Sequence, residues 1–175
     1  MGTNAAFALA TQCYKTLMAD GRKAKQACDM NIVTPALENI IEANILLSGL
    51  GFESGGLAAA HGIVDGLTIL PGTHKYMHGE EVAFGTLCHM MLENAPTEEL
   101  EEVLDFCLDV GLPVCLADIG VESISPEELR QVAEKASIPE ESTHAMPFPV
   151  NAQTVAAAIV AADKLGSTYK QERAK

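Results

Sequence analysis

The sequence predicts an all-α, multihelical bundle. Three observations carry that expectation. Apolar residues recur at three- and four-residue spacing through most of the 175 residues. Aromatics make up only 5% and Trp is absent, so the core must be aliphatic and alanine-rich. Such a core suits closely packed helices better than a sandwich of β-branched and aromatic strands. No convincing strand pattern occurs, since Val114 to Leu116 is too short to qualify. With 48% hydrophobic and 20% charged residues the chain is globular rather than disordered. A domain of this length buries roughly 70% of its unfolded surface, so it needs no disulfide or metal to fold.

Each element has a local reason. Ala6, Leu9, Ala10, Cys13 and Leu17 form a first stripe, which Gly21 is expected to close. Thr34-Pro35 pairs an N-cap with proline at the first helical position, opening a helix through Leu37, Ile40, Ile41 and Leu47 that should stop near Gly49. The glycine-rich stretch Gly49 to Gly56 follows, and Glu53 or Ser54 is placed to cap a helix striped by Leu57, Ala60, His61 and Val64. Asp65-Gly66 and Pro71-Gly72 mark a loop. A helix from about Gly79 to Asn94 comes next, broken by Asn94-Ala95-Pro96. The cleanest stripe is Leu100, Val103, Leu104, Cys107 and Leu108, behind an acidic first turn and before Gly111 and Pro113. Ser125-Pro126-Glu127-Glu128 is a capping box ahead of Leu129, Val132, Ala133 and Ala136. Asn151 caps a last helix carrying Val155, Ala158, Ile159 and Ala162, expected to end at Gly166 with a frayed tail. Residues 137–150 read as a packed surface loop. Roughly seven or eight helices in one domain spanning 1–175 is the economical expectation.

Charge excludes several functions. Eleven Lys and Arg against 24 Asp and Glu give a formal net charge of −13. A nucleic-acid backbone or an anionic membrane would be repelled over most of this surface. No apolar run approaches a transmembrane helix, the N-terminus has no secretory pattern, and cytoplasm is the expected compartment. The five cysteines are odd in number and lack CxxC spacing, so all are expected to be buried, reduced thiols.

Chemistry-bearing motifs are few. The glycine-rich stretch has Ser54 at the third position of a GxGxxG pattern and follows a helix, so it is no dinucleotide fingerprint. Small residues there imply a close helix–helix approach. His61 is in register with an apolar face, where a lone histidine is more often a hydrogen-bonded core residue than a ligand. His74 and His78 are four apart, but the flanking glycines and proline favour a loop. From residues alone, His61 and His78 could reach one metal ion if their helices abut, and catalytic zinc usually takes three protein ligands. Acidic residues cluster at helix starts as solvated faces. No paired carboxylates or Ser–His–Asp set can be read.

SGLGFESGGLAAAHGIVDGLT (Ser48 to Thr68), HKYMHGEEVAFGTL (His74 to Leu87), VTPALENIIEAN (Val33 to Asn44), VGLPVCLADIGV (Val110 to Val121) and THAMPFPV (Thr143 to Val150) together resemble the iron- or zinc-dependent alcohol dehydrogenase family, and within it the glycerol dehydrogenase branch. The resemblance runs from about Ala5 to Gly166. It implies the helical C-terminal domain of the dehydroquinate synthase and iron-containing alcohol dehydrogenase fold. It also implies that the N-terminal domain, which binds NAD, is absent from this chain. The family's two histidine metal ligands map onto His61 and His78, and its aspartate ligand has no counterpart here. Phe52 maps beside the polyol pocket. His144 matches a common histidine but not a ligand. The implied cofactor is zinc or iron, bound weakly without the aspartate, and NAD would come only through the missing domain.

Three functions are therefore expected. The first is the metal- and substrate-binding half of an NAD-dependent glycerol dehydrogenase, working on a glycerol-like polyol with a separately encoded N-terminal half and inactive alone. The second is a non-catalytic truncated helical protein that self-associates, since a domain without its partner exposes apolar surface and should form a homo-oligomer. The third is another polyol or phosphopolyol dehydrogenase of the same fold group, for which only Lys75 lies near the histidines as a phosphate-clamping cation.

Overall fold

The computed structural model describes residues 2–175, whose regular elements are all helical with no strand among them. They group into two compact units, one running to Gly56 and one from Leu57 to Lys175. No helix among the described residues is long and apolar enough to cross a membrane.

The first unit is a helical hairpin. Helix α1 (Asn4–Asp29) starts at Thr3, whose hydroxyl accepts from the Ala6 amide at 3.0 Å. It runs past Gly21, because Gly21 lies buried with Ala24 and Ala27 on one face, where small side chains let the returning helix come close. The return is α2 (Pro35–Glu42), a π-helical turn (Ala43–Leu47) and α3 (Ser48–Gly55). Thr34 caps it as expected, its hydroxyl accepting from Leu37 N–H at 3.2 Å. Gly49 does not stop it. The Ser48 amide reaches back to the Ala43 carbonyl, so the extra residue is absorbed in a π turn and the helix continues to Gly56, at φ 80°. Gly51 sits against the Ala10 backbone, the close approach that the small residues implied.

The second unit is a bundle around α5 (His78–Leu92). Helices α4 (Ala59–Leu67), α6 (Thr97–Val110) and α8 (Ala152–Arg173) pack on it, and α7 (Pro126–Lys135) lies against α4 and α8. Its core is aliphatic: Ile63 and Leu67 of α4, Phe84 and Leu87 of α5, Leu104 of α6, Val132 of α7, Val155 and Ile159 of α8. Each such side chain contributes about 1.5–3 kcal/mol when fully buried. The capping boxes at Ser125 and Asn151 form as the sequence predicts, and Gly111 ends α6 at φ 83°.

Several local expectations yield to packing. Gly66 is inside α4, facing the Val132 carbonyl of α7. Glu53 and Ser54 belong to α3, and Ala58 precedes α4 as an N-cap without a side-chain hydrogen bond. Gly166 does not end α8: it is buried there because the Val114 carbonyl occupies the space a Cβ would need. Beyond it the last turns are tethered. Tyr169 donates to Asp105 at 2.9 Å, Lys170 to Asp118 at 2.5 Å and Arg173 to Asp109 at 2.5 Å. Cys13, Cys88, Cys107 and Cys115 are buried free thiols, but Cys28 is exposed on α1, since the small-residue face of that helix is turned elsewhere.

Candidate metal and substrate site

Two histidines from different helices meet in the second unit. His61 is in the first turn of α4, and His78 is the first residue of α5. Their ring centroids are 5.3 Å apart and the planes are tilted by 49°. Close α4–α5 packing makes this possible. Gly85 of α5 faces the Ala60 carbonyl with no room for a Cβ, which sets the interhelical distance one residue away from His61.

His61 is half-buried and His78 exposed, so the pair forms a rim rather than a core contact. The apolar face of α4 is Ala59, Ile63, Val64 and Leu67, leaving His61 at its edge. Burial, reinforced by the neighbouring His78, holds the His61 imidazole below its ordinary pKa, with Asp65 pulling weakly the other way. A neutral ring is the form that ligates metal. The start of α5 is held by the Glu80 carboxylate, which accepts from the Met77 amide at 2.8 Å.

The separation suits shared ligation. Two imidazole nitrogens on a tetrahedral zinc, at about 2.0–2.1 Å each, put their ring centroids roughly 5 Å apart. The set is nonetheless incomplete. Among the described residues no group of three His, Cys, Asp or Glu side chains could hold a metal ion. Glu81, one turn beyond His78 and only 7% exposed, does not complete such a group.

The other sequence candidates divide clearly. His74 lies in a short 3-10 turn (Thr73–Lys75), and its Nε2–H donates to the Thr68 carbonyl at 2.8 Å. His144 donates through Nε2 to the Ser137 and Ile138 carbonyls, each at 3.1 Å, and takes no part in the pair. Lys75 lies over the Tyr76 ring, 5.3 Å from its centroid. Phe52 belongs to the first unit, on α3, where it is 54% exposed. It lines an open cleft of about 600 Å³ with Phe7, Ala10, Gly51 and Gly55.

No family model matches the chain. Individual relatives do. Over 170 residues it is 52% identical to glycerol dehydrogenase of Thermotoga maritima, covering 97% of this chain and 47% of that protein. A probable glycerol dehydrogenase of Sinorhizobium meliloti superposes with a TM-score of 0.92 at 48% identity, over 95% of this chain and 47% of that one. The chain belongs to the glycerol dehydrogenase family. Glycerol dehydrogenase of Schizosaccharomyces pombe superposes with a TM-score of 0.94 at 37% identity, over 99% of this chain and 44% of that one. The chain thus spans about half the length of the curated relatives it matches. The part it matches in glycerol dehydrogenase structures is their helical C-terminal domain, as the sequence predicts.

The signal missed at this site is Asp65. By sequence it is a turn residue beside Gly66, yet it sits one turn beyond His61 on the same helix. Its spacing of four from a histidine on a helical stripe was the available clue.

Proposed function

We propose that this chain is the metal- and polyol-binding part of an NAD-dependent glycerol dehydrogenase. The 5.3 Å His61–His78 pair is the observation that carries this reading. His61 and His78 would hold zinc or iron through their ring nitrogens, and a third ligand would come from outside the described set. When bound, such an ion supplies Lewis acidity that lowers the pKa of an alcohol hydroxyl. The neutral His61 ring keeps its lone pair available for that role. Phe52 would offer an apolar wall to the carbon skeleton. NAD, the hydride acceptor, would be held by the portion of the relatives that this chain does not span, and the cytoplasm is the compartment proposed for it.

The test is reconstitution. The chain is assayed with zinc, NAD and glycerol, alone and together with the nucleotide-binding half of a relative, by absorbance of reduced cofactor. Turnover is expected only in the mixture and only with both histidines intact. Turnover by the chain alone would overturn the division of labour. A mixture that stays inactive while the two halves bind each other would overturn the functional reading.

A second reading, a helical protein that self-associates without turnover, is favoured by exposed apolar residues of the first unit. Phe7 is 76% and Ile45 74% exposed, with Val33 and Phe52 also open. Light scattering separates the two: a non-monomer without any rescue by the second half supports this alternative. A phosphopolyol dehydrogenase has less support, since Lys75 is engaged with Tyr76.

A further inference from the structure

His61 is bracketed by contacts to its own backbone. The Ala60 carbonyl meets Gly85 of α5, which sets how close the two helices come. One contact fixes a distance but leaves α4 free to turn about it. The start of α4 has no device of its own against such turning, since Ala58 before it is extended and makes no side-chain cap. The hold comes instead from the connection between α7 and α8. Ser142 Oγ donates to the Ala58 carbonyl at 3.0 Å. That same carbonyl accepts from the His61 amide at 3.2 Å and the Gly62 amide at 3.3 Å. Gly62 lies so close to the connection that an added Cβ would stand 2.7 Å from the Thr143 methyl group and 3.2 Å from Ser142 Oγ. Ala58 and Gly62 are four apart, so they share one side of the α4 start, and the connection rests on both.

The connection can serve as a fixed support because it is braced against the end of α7. Thr143 is fully enclosed, and its hydroxyl donates to the Ala136 carbonyl at 2.7 Å. The His144 ring reaches back to the Ser137 and Ile138 carbonyls, each at 3.1 Å. The Glu141 amide donates to the Ile138 carbonyl at 3.0 Å. Met146 is buried in the core beyond them.

We propose that Ser142 is a positioning residue for His61: by holding the Ala58 carbonyl it fixes the direction of the first turn of α4 and so the placement of the His61 ring toward His78. Loss of the hydroxyl leaves no orphaned acceptor, because the Ala58 carbonyl keeps its two amide donors. The fold therefore survives, and what changes is the freedom of that turn. Groups that orient a ligand without touching the metal typically carry about 10–100-fold in affinity. The effect on metal binding rests on the proposed function, whereas the effect on the rings does not.

Nuclear magnetic resonance on the metal-free chain tests the ring placement directly. The wild type is expected to show a nuclear Overhauser cross-peak between the His61 and His78 ring protons. Ser142→Ala should lose most of its intensity with helicity unchanged by circular dichroism, and Ser142→Thr, which keeps the hydroxyl, should restore it. Should Ser142→Ala lose helicity, Ser142→Val, with the shape of threonine and no hydroxyl, takes its place beside Ser142→Thr. Ser137→Ala removes a hydroxyl of the same connection that is bonded to the Ala133 carbonyl and not to α4, and it should leave the cross-peak intact. Zinc titration of the same variants should show affinity falling about tenfold in Ser142→Ala alone. A full cross-peak in Ser142→Ala, no rescue by Ser142→Thr, or an equal loss in Ser137→Ala would overturn the proposal. A cross-peak lost in Ser142→Ala and rescued in Ser142→Thr supports it even where zinc binding ignores His61→Ala, a result that would instead remove the metal reading.

Discussion

The His61 and His78 rings stand 5.3 Å apart although seventeen positions separate them in the chain, because α4 and α5 abut where Gly85 meets Ala60. Their own side chains do nothing to create this proximity. Backbone contact one residue from His61 does it, and the imidazoles then face one another at a tilt at the rim of the bundle.

Zinc affinity should reflect two ligands and not three. Titration calorimetry on the chain is expected to show weak binding, with His61→Ala and His78→Ala each losing more than about a factor of ten, since loss of even an outer-shell partner costs that much. Tight binding indifferent to His61→Ala would remove the pair from the metal site.

Gly85→Ala should act on the pair without touching it. The new methyl would meet the Ala60 carbonyl and the Val64 side chain, neither of which is a flexible end. Such overpacking typically costs about 1–3 kcal/mol. Chemical denaturation should show this loss, and zinc affinity should fall with it as α4 and α5 separate. A variant of wild-type stability and wild-type affinity would mean the interhelical distance is not set there.

Acid should loosen the end of α8 before the core. Burial alone would raise the Asp118 carboxyl, but the Lys170 ammonium, the Val114 amide at 3.1 Å and Cys115 outweigh it and hold Asp118 below its ordinary value. A lowered carboxyl stabilises the fold above its unfolded pKa, and that contribution disappears as pH falls through the folded one. The tether is partly exposed, so it is worth about 0.2–1 kcal/mol. In urea melts between pH 2 and 6, Asp118→Asn should show a shallower acid-side loss than wild type. An identical profile would show that the tether carries no net stability.

Thiol reactivity should single out one cysteine. Cys28 is exposed, while burial raises the thiols of Cys13, Cys88 and Cys115 and takes Cys107 up to about 11. A thiol reagent at neutral pH is expected to label one site quickly and four more only in denaturant. Fast labelling that survives Cys28→Ser would contradict this burial.

The sequence by itself determined three of the helix starts. Thr34, Ser125 and Asn151 cap helices through bonds to amides three residues away, and such contacts are complete within one turn of chain. The same locality explains Gly21, Gly49, Gly66 and Gly166. By sequence three of them stop a helix and Gly66 marks a loop, because glycine tolerates a left-handed turn, yet all four lie within helices. Gly66 and Gly166 are there because a distant carbonyl fills the place of a Cβ. Only tertiary structure decides between those two uses of glycine, since the atom that needs the space belongs to another element. The same holds for the tethered end of α8, whose partners lie more than sixty residues away at Asp105 and Asp109. Local chemistry chose the residues of the candidate site, and packing decided which of them meet.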